Sequence, residues 1–251
     1  MSYDLELKLA RRAALAAGDY LAGLSEKEIE SSIGRDIKLK ADKAAEEIIL
    51  ETLRPSACPV VSEESPDSEA RVAFGLRWII DPLDGTFNYY KGLDDLCCVS
   101  VALWNDNDPV LGVVYKFGTG ELFEGGPGGG ARLNGQSCRP SQVARPEEAC
   151  LGTGFPVKSD FSDDRLKENL KYIQTFKKVR LLGSAALMSA YVGAGRLDAY
   201  FEKGIFIWDI AAGAAIVAAS GGWVSFTPGG GQQGDCCCFA NERLKEACRG
   251  L

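Results

Sequence analysis

The spacing of apolar residues predicts two helices in the first part of the chain. The N-terminal stretch MSYDLELKLARRAALAAGDYLAG repeats apolar side chains as an amphipathic helix does when one face packs on a core. The positions predicted to face that core are Leu5, Leu9, Ala13 and Leu15. A polar segment, SEKEIESSIGRDIKLKAD, comes next, and a second helix, AEEIILETL, is predicted to follow Asp42 and to end at Pro55.

Continuous apolar runs after this point predict strands. They are ACPVVSEES, LRWIID, CCVSVALW and PVLGVVYKF, and the Gly-rich segment GGPGGGARLNGQ is predicted to be a loop that joins strands. From about Ala149, predicted strands alternate with helices such as SAALMSAYVGAG and DIAAGAAIVAASGG, and TPGGGQQG is predicted to be a turn. This mixture indicates a layered α/β or α+β fold. We expect one domain over residues 1–251, with an N-terminal lobe of about 1–145 and a C-terminal lobe of about 146–251.

Composition and charge restrict the partners. The 251 residues carry 28 basic and 35 acidic side chains, and the net charge of −7 disfavours nucleic acid, because phosphate backbones attract basic surfaces. No apolar run reaches membrane-spanning length, and the N-terminus lacks the basic start of a secretory signal. Nine cysteines without such a signal favour a reducing compartment, so we expect a cytoplasmic protein. The absence of any C-x-x-C pair argues against a zinc site.

The sequence contains no histidine. This absence excludes Ser-His and Cys-His nucleophilic pairs, HExxH metalloproteases and proton shuttles that depend on histidine. Any catalysis must therefore use carboxylates, hydroxyls, lysine or arginine, thiols, backbone amides or bound metal.

The segment DPLDGT, residues 81–86, is the strongest candidate for such chemistry. Its proline fixes φ and lacks an N–H, and its glycine lets the backbone bend beside a ligand. Asp81, Asp84 and the carbonyl of Leu83 can converge, and three hard oxygen ligands at one corner suit Mg²⁺. Thr86 and the amides after Gly85 are candidate contacts for a phosphate oxygen if a helix starts there. A simple Asp-Gly turn would need only one of the two aspartates, so the second aspartate favours a functional site over a plain turn.

Other segments offer further polar groups. Glu63 and Glu64 lie together at the end of an apolar strand, where a nearby cation would relieve their repulsion. Asp209 opens an Ala-rich helix, and the residues alone favour equally an N-cap and a ligand of a second metal. The junction RLLGSA, residues 180–185, offers free amides at a helix start, and Glu202 is a candidate acceptor for a substrate hydroxyl.

Together, these segments resemble the inositol monophosphatase family. The similarity covers nearly the whole chain, and the segments that follow the family's order are KADKAAEEII, VSEES, WIIDPLDGTFNY, ARLNG, GTGFP, LLGSAAL, GRLDAYFE and IWDIAAGAAIVAASGG. The two specific signatures are DP(I/L)DGT and WD-x-A-x-G. The resemblance implies a five-layered αβαβα sandwich, Mg²⁺-dependent hydrolysis of phosphomonoesters, commonly a homodimer, and sensitivity to lithium.

The resemblance also implies roles for individual residues. The residues that correspond to metal ligands are Glu63, Asp81, the Leu83 carbonyl, Asp84 and Asp209. The residues that correspond to the pair that positions the attacking water are Asp42 and Thr86, with Glu64 in support. The residues that correspond to substrate contacts are Asp84, Gly85, Thr86, Gly183, Ser184, Ala185, Glu202 and Asp209.

The chain departs from the family pattern at several positions. Phe87 replaces a usual second Thr, Met188 stands where bacterial relatives often carry Asp, and Ala219 and Ser220 replace Glu and Ala. None of these changes removes an expected metal ligand. Phe87 and Met188 bear on which substrate is preferred.

The resemblance predicts hydrolysis of a small phosphorylated polyol, most specifically inositol monophosphate. The predicted reaction is direct attack of water activated by two or three Mg²⁺ ions. Alternative substrates on the same metal core are fructose-1,6-bisphosphate, 3′-phosphoadenosine phosphates and histidinol phosphate. A non-catalytic regulator is a further alternative, because some bacterial relatives are implicated in RNA-related regulation.

A thiol-dependent phosphatase is a separate hypothesis. Cys237 and Arg243 have the C-x5-R spacing of cysteine phosphatases. The loop of such an enzyme should be Gly-rich and electropositive, so that it lowers the pKa of the cysteine and binds phosphate. Glu242 would instead repel the anion, so chance explains this spacing better.

Overall fold

Helices and strands alternate along most of the chain. The structure, a computed structural model, describes residues 3–65, 75–156 and 161–249. The helices within these ranges are α1 (Asp4–Gly23), α2 (Lys40–Leu53), α3 (Thr86–Tyr90), α4 (Asp163–Thr175), α5 (Ala185–Gly193), α6 (Ile207–Ser220) and α7 (Glu242–Ala247). The strands are β1 (Ile29–Ile33), β2 (Asp36–Leu39), β3 (Val60–Ser62), β4 (Leu76–Asp84), β5 (Cys98–Asn105), β6 (Asp108–Lys116), β7 (Glu121–Gly126), β8 (Gly130–Leu133), β9 (Gln136–Ser137), β10 (Cys150–Gly152), β11 (Lys178–Arg180), β12 (Ala199–Phe206), β13 (Trp223–Gly230) and β14 (Gln233–Phe239).

The described strands form two sheets and one hairpin. Strands β3 to β9 form a seven-stranded sheet in chain order, in which β3 and β4 are parallel and the following pairs are antiparallel. A five-stranded sheet has the order β11-β10-β12-β14-β13, with β10 parallel to both of its neighbours. Strands β1 and β2 pair only with each other in the described ranges.

Three hydrophobic clusters define five layers. Helices α1 and α2 pack on one face of the seven-stranded sheet, and α5 and α6 fill the space between the two sheets. Side chains from α4 and α7 pack on the outer face of the five-stranded sheet. The result is the predicted αβαβα sandwich. In the described ranges, no helix has both the length and the apolar character needed to cross a membrane.

Small residues allow α6 to lie in the centre of the sandwich. Its sequence, IWDIAAGAAIVAAS, places Ala and Gly on every side of the helix. A side chain at Gly112 of β6 would collide with the backbone of Ala212, and one at Gly213 would collide with Ser189 of α5. Close approach of α6 to a sheet and to a helix therefore fixes where its first turn, which carries Asp209, lies.

Strand β4 extends to Asp84, three residues beyond the end of the predicted strand LRWIID, so the predicted end of this strand is wrong. Asp81 pairs with Ser100 and Asp84 pairs with Cys98, which leaves one extra residue on β4. This is a β-bulge, and Pro82, which has no N–H to donate, occupies the interruption. The bulge bends the strand end before α3 begins at Thr86.

Three segments without predicted regular structure contain strands. The polar segment after α1 folds into the β1–β2 hairpin, whose turn includes Gly34 with φ of 63°. The Gly-rich segment predicted to be a loop contains β8 and the first residue of β9. Strand β13 covers the first half of the predicted TPGGGQQG turn, to Gly230, and β14 begins at Gln233 within the same segment. Backbone pairing with a neighbouring strand outweighs the weak local preferences of these residues.

Two local predictions in the N-terminal region are also wrong. Leu5 is 56 % exposed, whereas Leu9 and Ala13 are buried and Leu15 is partly buried against the same cluster. Helix α2 begins at Lys40, so Asp42 lies inside its first turn and not before it. The Asp42 carboxylate accepts a hydrogen bond from the Leu39 amide at 2.7 Å, which satisfies a free N–H at the helix start.

Candidate active site

Three carboxylates from separate parts of the chain meet at one edge of the seven-stranded sheet. Glu63 follows β3, Asp81 lies in β4, and Asp209 lies in the first turn of α6. One carboxylate oxygen from each lies within 4.8 Å of the others. Because β3 and β4 are parallel, with Ser62 opposite Ile80, the carboxyl end of β3 places Glu63 beside Asp81.

This carboxylate cluster, Glu63, Asp81 and Asp209, suits a divalent cation. Within the described ranges, none of the three has a lysine or arginine nitrogen within 4.0 Å. Asp81 accepts one hydrogen bond, at 2.9 Å, from the Leu83 amide. Hard oxygen ligands are the donor set that Mg²⁺ prefers. The residues present therefore fit the metal that the sequence predicts.

Asp84 is anchored to the start of α5. Its Oδ2 accepts hydrogen bonds from the Ser184 hydroxyl at 2.6 Å and from the Ala186 amide at 2.8 Å, and the Cys98 thiol lies 3.7 Å away. The Ala185 amide approaches Oδ1 at 3.3 Å. Asp84 therefore satisfies free N–H groups of a helix that begins 101 residues later in the sequence. Oδ1 keeps most of its capacity for another ligand.

The predicted water-positioning pair, Asp42 and Thr86, is not joined by a hydrogen bond in the structure. The Thr86 hydroxyl donates to the Leu83 carbonyl at 3.0 Å. Oδ1 of Asp42 is buried and has no hydrogen-bond partner among the described residues. A buried acceptor without a donor costs free energy, which is typical of a group that awaits a ligand.

Glu64 and Glu202 each accept a hydrogen bond from a defined partner. Glu64 accepts a hydrogen bond from Lys38 of β2 at 2.8 Å. Glu202 in β12 accepts one from the Tyr200 hydroxyl, also at 2.8 Å. A Cβ at Gly154 would lie 2.7 Å from a Glu202 oxygen, so this position has no room for a side chain.

The two glycines among the predicted substrate contacts lie in turns that require positive φ. Gly85, with φ of 90°, precedes α3, and Gly183, with φ of 73°, precedes Ser184 at the start of α5. A Cβ at Gly85 would lie 2.8 Å from the Leu96 carbonyl oxygen and 3.3 Å from that of Gly183. The two turns are therefore in direct contact.

Burial raises the pKa of every carboxyl group at the centre of the site. Desolvation is the largest cause in each case, and repulsion between neighbouring carboxylates adds to it. The pKa rises to about 7 for Asp42, about 8 for Glu63, about 6 for Asp84 and about 7 for Glu202. The pKa values of Asp81 and Asp209 also lie well above the usual range. Without metal, the site therefore favours the neutral form of these carboxyl groups more than water does.

The raised pKa values predict an unusual pH dependence of stability in the metal-free protein. Glu63, Asp42 and Glu202 hold protons in the folded state at pH values where the unfolded chain has already lost them. The free energy of unfolding should therefore fall as pH rises from about 5.5 to about 8. The measurement is the Tm across this range in EDTA.

Saturating Mg²⁺ is the control, because a bound cation favours the ionised carboxylates and should remove most of this slope. A Tm that is flat in EDTA across this range, or a slope that Mg²⁺ leaves unchanged, would contradict the assignment of Glu63 and the carboxylates beside it to a cation site.

Sequence reasoning missed several residues that support the site. Asn88 contacts the turn before α5, Lys38 pairs with Glu64, and Ser100 donates to the Trp208 carbonyl at 3.4 Å. These contacts join positions 26 to 108 residues apart. Of these residues, only Asn88, in the segment TFNY, lies close in sequence to the DPLDGT segment and could have been suspected from the sequence.

The departures from the family pattern lie in different environments. Phe87 is 58 % exposed at the start of α3, next to Thr86. Met188 is buried in the core between the sheets, and a Cβ at Gly152 would lie 3.3 Å from it. Ser220 donates to the Val217 carbonyl at the end of α6. Phe87 is therefore better placed than Met188 to contact a substrate.

The structure does not favour the thiol hypothesis. Cys237 lies in β14 and Arg243 in α7, with the N-cap Asn241 between them, so they do not share a phosphate-binding loop. Burial raises the pKa of the Cys237 thiol to about 12, the opposite of what a nucleophile needs. All nine cysteines lie in described ranges and are free thiols.

Comparisons with known proteins agree with this arrangement. The model of the inositol monophosphatase family matches residues 3–248. Nus factor SuhB of Escherichia coli K12 is 38 % identical over 231 residues, which cover 89 % of this chain and 86 % of that protein. Inositol-1-monophosphatase of Rhizobium meliloti is 34 % identical over 219 residues, 85 % of this chain and 82 % of that protein.

The solved structures include a similar fold. The extragenic suppressor protein SuhB of Bartonella henselae has a TM-score of 0.82 and 31 % identity, with 98 % of this chain and 99 % of that chain covered. The match confirms the predicted fold class, and the family is in general metal-dependent. Since the match spans almost all of the chain, this protein belongs to the inositol monophosphatase family.

Proposed function

We propose that this protein is a Mg²⁺-dependent phosphomonoesterase that acts on a small phosphorylated polyol, with inositol monophosphate as the first candidate. The observation that carries the proposal is the carboxylate cluster, whose three oxygens lie within 4.8 Å of one another. Membership in a phosphatase family and the name of the Rhizobium meliloti relative support the type of reaction.

Five groups would hold two or three Mg²⁺ ions: the carboxylates of Glu63, Asp81, Asp84 and Asp209 and the carbonyl of Leu83. Asp84 would use Oδ1, because Oδ2 already accepts two short hydrogen bonds. When bound, the ions would stabilise charge on the phosphate and on the leaving alkoxide, and would lower the pKa of water.

The chain itself would bind and orient the reacting groups. Asp42 offers a buried free oxygen, Oδ1, that can accept the proton of an attacking water. Thr86 would orient the same water after its hydroxyl turns away from the Leu83 carbonyl. Lys38 would hold the Glu64 carboxylate in place beside this pair through their 2.8 Å ion pair.

Glu202 would select for a hydroxyl group on the substrate. Its side chain is buried, and Tyr200 contacts Oε2, so Oε1 can accept a hydrogen bond from a substrate hydroxyl. In the turns before α3 and α5, the backbone of Gly85 and Gly183 would contact the substrate. The Ser184 hydroxyl and the Ala185 amide would do so only by exchanging their contacts with Asp84.

A homodimer and sensitivity to lithium, both expected from the family, remain predictions. A regulatory role is the second candidate, because one 38 % identical relative carries the name Nus factor. Since this chain keeps every predicted metal-ligand carboxylate, we favour catalysis.

The test is phosphate release from a panel of esters with saturating Mg²⁺. The panel contains inositol monophosphate, fructose-1,6-bisphosphate, 3′-phosphoadenosine 5′-phosphate, histidinol phosphate, and an aryl phosphate that has no free hydroxyl. We expect the highest kcat/KM for inositol monophosphate. Glu202→Gln should raise KM for the polyol esters and leave the aryl phosphate within about twofold of wild type, because the aryl ester offers Glu202 no hydroxyl.

Lack of turnover on every ester at any Mg²⁺ concentration would contradict the proposed function. An equal effect of Glu202→Gln on all esters would contradict the assigned role of Glu202 while leaving the reaction type intact.

A further inference from the structure

Asn88, in the middle of α3, joins three segments around the site. Its Nδ2 lies 2.7 Å from the Leu182 carbonyl oxygen, 3.0 Å from that of Leu96 and 3.3 Å from that of Gly183. An amide nitrogen has two hydrogens to donate, so the two shorter contacts are its main hydrogen bonds. The side chain therefore ties the end of the DPLDGT segment to the turn before β5 and to the turn before α5.

The turn that Asn88 contacts carries the donors that anchor Asp84. Gly183 lies directly under Asn88, because a Cβ there would be 3.0 Å from Nδ2. The next residue, Ser184, donates to Asp84 Oδ2 at 2.6 Å, and Ala186 follows with its amide at 2.8 Å. A shift of this turn would move both donors relative to the carboxylate.

The hydrogen bonds to Asp84 leave one of its two carboxylate oxygens available for a cation. Two short hydrogen bonds occupy Oδ2, whereas Oδ1 has one 3.3 Å contact. If the turn moved, the carboxylate could rotate and its donors would compete with a cation for both oxygens.

We propose that Asn88 is a positioning residue for the cation site. Its amide holds the turn at residues 182–184 so that the start of α5 anchors one oxygen of Asp84 and leaves the other available. The inference rests on the proposed function, because it assigns Asp84 to the metal, and it adds a residue that touches neither metal nor substrate.

The experiment measures Mg²⁺ binding by titration calorimetry, together with kcat and KM, for wild type and Asn88→Ala. We expect Mg²⁺ affinity and kcat to fall by about 10- to 100-fold, as for other groups that orient metal ligands. KM measured at saturating Mg²⁺ should change by less than about threefold, because substrate groups are not removed. Asn88→Leu keeps the branched shape and the number of side-chain heavy atoms without the donor, and it should behave like Asn88→Ala.

Asn241 provides a matched control in the outer layer. Its Nδ2 donates to the Ser141 carbonyl at 3.2 Å and to the Val143 carbonyl at 2.9 Å, so Asn241→Ala removes similar tethers. This variant should lower the Tm and leave the Mg²⁺ titration within about twofold of wild type.

Each outcome decides the proposal. Unchanged Mg²⁺ affinity in a folded Asn88 variant, an equal loss in Asn241→Ala, or failure of both Asn88 variants to fold would overturn it. Weaker Mg²⁺ binding in the Asn88 variants, in a protein that hydrolyses no ester, would support the positioning role while contradicting the proposed function.

Discussion

Asp209→Asn is expected to lower kcat/KM by about 10²- to 10³-fold and, at the same time, to raise the Tm of the metal-free protein. Activity should fall because one of three clustered oxygen ligands loses its charge. Stability should rise because the variant removes repulsion among buried carboxylates that lie close together. A gain on the order of 1 kcal/mol would raise the Tm by about 2–4 °C in a chain of this size.

The interaction of Asp209 with the helix dipole opposes this gain in stability. Asp209 lies in the first turn of α6, where a negative charge interacts favourably with the helix dipole, typically by about 0.3–1 kcal/mol. The pKa of Asp209 nevertheless lies well above its usual range, because burial and then Glu63 and Asp84 disfavour its charge. The unfavourable effect of burial and of charge repulsion on the ionised Asp209 therefore exceeds the favourable effect of the helix dipole.

Asp163→Asn is the matched control for Asp209→Asn. Asp163 lies in the first turn of α4 and is exposed, so its replacement removes a helix-dipole interaction without touching the cluster. We expect unchanged activity and a Tm equal to or slightly below that of wild type. If Asp209→Asn lowered the Tm in EDTA and kept its activity, the cluster would have no role in metal binding.

Asp84→Asn should lose both activity and stability. An asparagine presents one oxygen and one NH₂ group, so it can serve the donors of Ser184 and Ala186 or offer an oxygen to a cation, but not both. We expect a loss of about 10²-fold or more in kcat/KM. The free energy of unfolding should fall by about 1–3 kcal/mol, because the hydrogen bonds lose their charged acceptor and the NH₂ group faces the Ala185 amide in place of an oxygen.

Asp198→Asn separates these two effects. Asp198 is also a buried aspartate that accepts a backbone amide, that of Cys150 at 2.6 Å, and a hydroxyl, that of Ser141. Its replacement should reduce stability to a similar extent and leave kcat/KM within about twofold. Near-normal turnover in Asp84→Asn would refute the assignment of Asp84 as a ligand.

The sequence predicts the parts of the site that depend on local pattern. The two aspartates of DPLDGT and the glutamates of VSEES stand at the ends of strands, and parallel pairing of β3 with β4 brings them together. The family resemblance supplied the choice between an N-cap and a metal ligand for Asp209, which the residues alone left open. The position of Asp209 in the fold depends on α6 packing at backbone distance from β6.

Residues that act across long separations were not predictable in this way. Asn88 and the turn before α5 are 94 residues apart, and no periodicity connects them. The β1–β2 hairpin, which carries Lys38, was missed because its few apolar residues stand among charged and polar ones and it pairs with no other described strand. Asp84 was predicted as a ligand, but its second role in anchoring α5 appears only when both segments are seen together.

Turnover of metal-stripped protein on inositol monophosphate tests the central claim most directly. The protein is treated with EDTA, exchanged into metal-free buffer, and assayed before and after Mg²⁺ is restored. We predict that phosphate release falls to background without metal and returns in full with Mg²⁺, since the chain has no histidine to take over the chemistry. Undiminished hydrolysis by the stripped protein would contradict the account.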